Sequence, residues 1–314
     1  MKFSRQTTLR LPVSVTGIGV HSGQPATLTL NPADANTGIV FIRTGLDGPD
    51  REIMARSEAV IATDFATVLG DKDGPLVSTT EHVLAALRGM GVDNATVEVD
   101  GPEAPIMDGS AAPFVAAIDQ AGIVELAATR RYIEVLKTVQ VAAGQSSGEL
   151  RPYAHGFRAE LEIAFDNVIG HQAYTVDVTP QTFRKDICRA RTFGCMADVA
   201  KLWSAGYSRG ASFENCIVVD ETRILNPEGL RYTDEFVRHK VLDAVGDLAL
   251  AGLPLLGAYR SVRGGHKLNH AVLCALMADR SAWRIVEAER PRRSRGHVEA
   301  VGGLLAPAYG PDVS

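Results

Sequence analysis

The order of strand-like and helix-like segments predicts an α+β protein built from two similar halves. Three observations carry that reading. "ATVEVDG" (residues 95–101) alternates apolar and polar residues, the pattern of a strand with one face buried. "STTEHVLAALRGM" (78–90) puts Val83, Leu87 and Met90 on one face at helical spacing. The same strand, helix, strand, helix order then returns in the second half of the chain, without evident sequence identity. Each half is expected to lay its helices over one face of a mostly antiparallel sheet.

Element by element, the opening "TTLRLPVSVTGIGVHSGQPATLTLNP" reads as two strands joined by a Gly-rich turn. The helix from Ser78 to Met90 and the strand "ATVEVDG" follow, then a helix "SAAPFVAAIDQAG" ending at Gly122. A seam falls at "LAATRR", which divides a first half, residues 1–127, from a second, residues 128–280. In the second half "YIEVLKTVQV" and "FRAELEIAFD" are strands with a Gly/Ser-rich turn between them, and Tyr232 to Ala251 is a helix. "PLLGAYRSV" is a strand and "KLNHAVLCALMA" the last helix. Within this half, "RTFGCMADVAKLWSAGYSRGASFENCIVVD" looks like an inserted helix followed by a strand. Residues 281–314 shift to Arg, Gly and Pro and read as a loosely ordered extension.

Composition narrows the function classes. With 314 residues, 46% apolar and 22% charged, the chain has material for a substantial core. A net charge of -5 argues against a nucleic-acid partner. Cys188, Cys195, Cys216 and Cys274 form no CxxC pair, so they are expected to be reduced, in a cytoplasmic setting. The N-terminal stretch is broken by Arg10 and Pro12 before a signal-peptide core forms. "LALAGLPLLGAY" is too short to span a bilayer.

Three polar clusters stand out. In "FVRHKVLDAVGDL" (236–248), Asp243, Asp247 and Lys240 fall about 40°, 80° and 100° around the helix from His239. The valines lie opposite. His239 and Asp243, one turn apart, suit two ligands of one metal, although this spacing is more often that of a surface ion pair. In "TTEHVLAAL", Ser78 and Glu81 have capping-box spacing, whereas an adjacent Glu-His pair also serves hydrolytic metal sites as base and ligand. In "RGGHKLNH", His266 follows two glycines at a strand-to-helix corner, a place for a catalytic or a structural histidine. A cleft between the halves would gather His82, His239 and Asp243 as an open three-ligand site. Glu81 and His266 would remain free for acid/base work, with Asp247 beside His266.

These residues bring the chain close to a known family. "TGIGVHSG", "TTEHVLAAL", "PIMDGSAAPF", "RTFG", "LNPEGLRYTDEFVRHKVLDAVGDL" and "GGHKLNH", in that order, closely resemble the UDP-3-O-acyl-N-acetylglucosamine deacetylases of lipid A synthesis. The resemblance implies two α+β halves with helices sandwiched between outer sheets, and a small insert in each. The second insert, about residues 195–219, would form a greasy passage for an acyl chain, with Met196, Val199, Trp203 and Phe213 along it. Packing of that helix into the core is the alternative.

The resemblance also implies zinc on His82, His239 and Asp243, although two His and an Asp suit ferrous iron as well. Glu81 would be the general base on water. His266 would stabilise the oxyanion and protonate the leaving amine, held charged by Asp247. Thr192 would help bind the oxyanion, and Phe193 and Lys240 would line the substrate site. Arg263 stands where many relatives carry Lys and is expected to meet the nucleotide's phosphates. The expected partner is a UDP-linked acylated amino sugar, with transient contact at the inner-membrane surface and a monomeric protein. Two alternatives remain at this point: a related amidase acting on another acetylated substrate, and a non-enzymatic metal-binding module.

Overall fold

Alternation of buried and exposed residues builds the first sheet. In the strand Pro25–Pro32, Ala26, Leu28 and Leu30 point inward, and in Ala95–Val99 so do Ala95, Val97 and Val99. The structure is a computed structural model and describes residues 4–46, 51–71 and 73–288. Five strands form this sheet in the order Val13–Ile18, Pro25–Pro32, Ala95–Val99, Ile39–Arg43 and Glu52–Met54. All neighbours are antiparallel except Ala95–Val99 with Ile39–Arg43.

The second sheet has seven strands and is organised around Leu255–Val262. This strand pairs antiparallel with Ser146–Arg151 and parallel with both Phe157–Ala164 and Arg131–Val135. Five of its eight residues, Leu255 to Tyr259, are buried in succession, as a strand covered on both faces requires.

Six α-helices lie among the described residues: α1 (Glu81–Met90), α2 (Ala112–Ala121), α3 (Pro180–Thr182), α4 (Val199–Ser204), α5 (Glu235–Ala249) and α6 (His266–Ala278). Packing of α1 on α5 joins the halves; α2 packs on α1, and α6 on α5 and the second sheet. Burial follows from that central position. In α1 every residue except Arg88 is buried, and in α5 every residue except Arg238 and Lys240. The layers are therefore sheet, helices, helices, sheet, the expected sandwich. Each half carries an insert: the three-stranded Val60–Ala62, Val68–Gly70 and Leu76–Val77 in the first, and in the second the parallel pair Phe193–Cys195 and Ile217–Val219 enclosing α4. No helix among the described residues is long and apolar enough to cross a membrane.

Several expectations are corrected. The opening holds three strands, because Arg5–Leu9 pairs away with Ile123–Thr129. The Gly/Ser-rich stretch read as a turn supplies the strand Ser146–Arg151, in which Gly148 lies close under Val272 and Leu268 of α6. The stretch "LAATRR" runs through consecutive strands, Ile123–Thr129 and Arg131–Val135. The extension after residue 280 is not loose at its start: Trp283–Glu287 pairs antiparallel with Arg131–Val135 and extends the second sheet. The rest of that extension lies outside the described residues.

Candidate metal centre and active site

Gly246 fixes the geometry of the site. A Cβ added there would stand 2.0 Å from the Glu81 carbonyl oxygen, so only glycine lets α1 cross α5 this closely. The crossing sets Glu81 and His82, the first two residues of α1, against the polar stripe of α5. That stripe is not solvated: His239, Asp243 and Asp247 are 2%, 2% and 1% exposed. Nor is Glu81 a cap, since Thr80 stands at the N-cap without a side-chain bond, and the Glu81 carboxylate instead accepts the Thr67 N–H at 3.1 Å.

His82, His239 and Asp243 each offer a ligand atom within 4.8 Å of the others. His239 Nε2 lies 3.2 Å and His82 Nε2 3.8 Å from Asp243 Oδ1. Ligands about 2 Å from one ion at tetrahedral angles stand roughly 3.3 Å apart, so the cluster fits a single metal. Two further observations agree. Asp243 Oδ1 is buried with no hydrogen-bond partner among the described residues, a costly state for a carboxylate oxygen unless a cation meets it. His239 Nδ1–H donates to the Ala190 carbonyl at 3.0 Å, which leaves Nε2 as the free lone pair. Burial, with each other's proximity, pushes His82 down to about 3, and burial lowers His239 as well; neutral imidazoles are the form that ligates. Burial alone would raise Asp243, but His239, Lys240 and His266 around it hold it far below the usual carboxylate range.

Two proton-handling groups flank the cluster. Burial, reinforced by Asp247 and Asp243 and opposed by His266, raises Glu81 to about 7. His266 Nε2 lies 4.0 Å from Glu81 Oε1 and 3.9 Å from Asp243 Oδ2. Its Nδ1–H donates to Asp247 Oδ2 at 2.9 Å. Burial works against its proton, yet Asp247, Asp243 and Glu81 together raise it to about 10. The cleft thus holds a carboxyl poised at neutrality opposite a persistent imidazolium.

The structure also brings Lys240 and Phe193 here. Lys240 Nζ donates to Asp243 Oδ2 at 2.9 Å and lies over the Phe193 ring, which itself meets His239 edge-on. Thr192 follows two residues after Ala190, its backbone tied to Gly109 and Ile217. Arg263 is not brought to the cluster: it is exposed and donates to Gln145. Met196, Trp203 and Phe213 are 45%, 60% and 46% exposed, so core packing does not account for the insert's apolar residues; Val199 is half-buried.

Sequence reasoning missed the supports. Asp247 accepts a second and third hydrogen bond, from Thr67 Oγ1 at 2.6 Å and Asn269 Nδ2 at 2.8 Å, and Tyr259 O–H fixes the Asn269 amide. Asn269 sits in "GGHKLNH", one turn past His266, a signal that was available; Thr67 carried none. His21, in "TGIGVHSG", was also passed over. Its ring meets Tyr207, its Nδ1 accepts the Ser208 N–H, and burial lowers its pKa, with the His266 charge adding to the effect.

A two-sided α+β sandwich with an open three-ligand cluster between an acid and a base describes a metal-dependent hydrolase. The comparisons make the class particular. The family model for UDP-3-O-acyl N-acetylglycosamine deacetylase matches residues 6–278. Proteins named UDP-3-O-acyl-N-acetylglucosamine deacetylase from Brucella ovis, Brucella abortus and Brucella melitensis are each 49% identical over 285 residues, covering 90% of this chain and 99% of the relative. The chain belongs to this deacetylase family.

Proposed function

We propose that the protein hydrolyses the N-acetyl group of UDP-3-O-acyl-N-acetylglucosamine, the committed step of lipid A biosynthesis, with zinc held by His82, His239 and Asp243. The observation that supports this reading is the approach of Glu81 and His266 to within 4.0 Å of each other beside the His82, His239 and Asp243 cluster. Zinc would supply a Lewis acid, polarising the amide carbonyl and lowering the pKa of a water to about 7. Glu81, oriented by the Thr67 N–H and ionised near neutrality, takes the proton from the attacking water as the new C–O bond forms. The imidazolium of His266 faces the developing oxyanion and gives its Nε2 proton to the amine nitrogen as the C–N bond breaks. Acetate and the free glucosamine amine leave, and proton transfer from Glu81 to His266 or solvent restores both groups. Asp247 keeps His266 charged and oriented.

Thr192 suits a hydrogen bond to the developing oxyanion, and Phe193 and Lys240, beside the cluster, suit contact with the substrate. The exposed Met196, Trp203 and Phe213, with half-buried Val199, suit an acyl chain. Arg263, exposed and bonded to Gln145, suits contact with the phosphates once that bond is released. We assign the protein to the cytoplasm as a monomer that touches the inner-membrane surface transiently to collect an acylated substrate.

Metal analysis alongside an amine-release assay tests the mechanism. Wild type, Glu81→Ala and His266→Ala are all expected to retain metal, while each variant loses at least about a hundredfold in rate. Near-normal rates in either variant would sink the two-group mechanism. Excising α4 should abolish activity on the acylated sugar nucleotide; retained activity would mean that the insert is not the passage for the acyl chain.

A further inference from the structure

On the side of α1 and α5 away from the metal residues, the two helices and the second sheet enclose a cavity. Val178, Val245, Leu248, Leu253 and Leu256 form much of its wall, and Arg88 enters it from α1. Arg88 lies six residues beyond His82, about 9 Å along the helix axis. Its Nε and Nη1 are sealed from solvent and have no hydrogen-bond partner among the described residues. The carboxylate it faces, through Asp93 Oδ1, is 3.9 Å from Nη1, too far for a hydrogen bond. That oxygen is already held by Arg130 Nε and Nη2, both at 2.9 Å, and Asp93 Oδ2 takes the Thr7 N–H. Two guanidiniums therefore share one carboxylate, with Arg88 left as the surplus cation at the edge of an apolar space. Burial lowers Arg88 to about 10, so it remains charged at neutrality.

A buried cation with unused donors is costly, and an incoming anion would relieve it. An inorganic anion would leave the apolar wall uncovered, and a neutral lipid would leave Arg88 unpaired. We propose that this cavity is a second ligand site for a small amphiphilic anion, a carboxylate on a medium-length apolar chain. The carboxylate sits on the Arg88 guanidinium, whose planar fork matches it, and the chain lies along Val178, Val245 and Leu248.

The test is a titration of the full chain, labelled at Val and Leu methyls, with sodium octanoate. Saturable shifts are expected at Val178, Val245, Leu248 and Leu253, together with a rise in melting temperature. Arg88→Gln should weaken binding by about tenfold or more, since a charge-assisted bond is lost. Leu253→Trp, which fills the cavity, should weaken it similarly, and both variants should keep the wild-type deacetylation rate. Octanol and inorganic phosphate should leave these methyls unshifted. Shifts confined to Val199 and Val218 would mean that octanoate enters the acyl passage only, and would overturn the proposal. So would phosphate binding as well as octanoate, or undiminished octanoate binding to Leu253→Trp, which remains decisive if Arg88→Gln fails to fold.

Discussion

Two buried charge clusters sit on the same helix and behave oppositely. At the start of α5, Glu235 is fully buried and receives Arg191 through Nε at 2.9 Å and Nη2 at 3.3 Å, as well as the Arg191 and Arg231 backbone N–H groups. Arg191 spends its remaining donors on Glu228 and the Gly229 carbonyl. One to two turns further on, His239, Asp243 and, across the helix crossing, His82 are just as buried, yet Asp243 Oδ1 and His82 Nδ1 find no partner among the described residues. A satisfied network braces the fold, whereas orphaned atoms of convergent ligands leave room for something to bind. The α5 members of both clusters, Glu235 in one and His239 with Asp243 in the other, lie in the same long motif, eight residues apart at most.

The sharpest way to break the comparison is to remove a ligand. Asp243→Ala is expected to lose metal and activity together, at least about 10⁴-fold in rate, while the protein stays folded. Metal content by atomic emission and the amine-release rate read this out; an active, metal-loaded variant would remove Asp243 from the ligand set. Glu235→Ala should do the reverse. It strands the Arg191 guanidinium in the interior and should cost about 3–5 kcal/mol of stability, with metal affinity kept in the folded fraction. Chemical denaturation against metal titration separates the two effects.

Gly246→Ala joins both regions. Its methyl has no room against the Glu81 carbonyl, so α1 must shift away from α5. Overpacking of this kind costs about 1–3 kcal/mol, and the shift also displaces Glu81 and His82 from Asp243. Loss of metal affinity alongside stability is expected. A variant with only the stability loss would show that the crossing does not set the ligand geometry.

How much of this was legible depended on range. The two halves, α1, α2, α5 and α6 could be read because their periodicity is local, and the approach of His239 to Asp243 because residues one turn apart share a helix face whatever surrounds them. Ser146–Arg151 was hidden by composition: its glycine, written as flexibility, is close packing against α6. Thr67 was invisible because its hydroxyl meets Asp247 across 180 residues, a contact fixed only by how the halves dock. Arg263 and the insert's apolar residues came from resemblance, and their placement depends on side-chain orientation that no spacing encodes.

The pH profile follows from the active cluster and is a milder test. In the proposed mechanism Glu81 works as a carboxylate, so the rate should climb as pH rises through its value of about 7. His266 works protonated in the same proposal, so the rate should fall as pH rises through about 10. A bound divalent cation adds positive charge beside both groups and should draw both limbs to lower pH. Asn269→Ala then gives the smallest effect. It removes one of three hydrogen bonds to Asp247 and leaves the His266–Asp247 bond in place. A loss of about 1 kcal/mol, a several-fold fall in rate, is expected. With that bond gone the Asp247 carboxylate is less well held, so the alkaline limb should move along with the rate. A rate loss with an unmoved limb would mean that Asn269 supports α6 rather than the charge on His266.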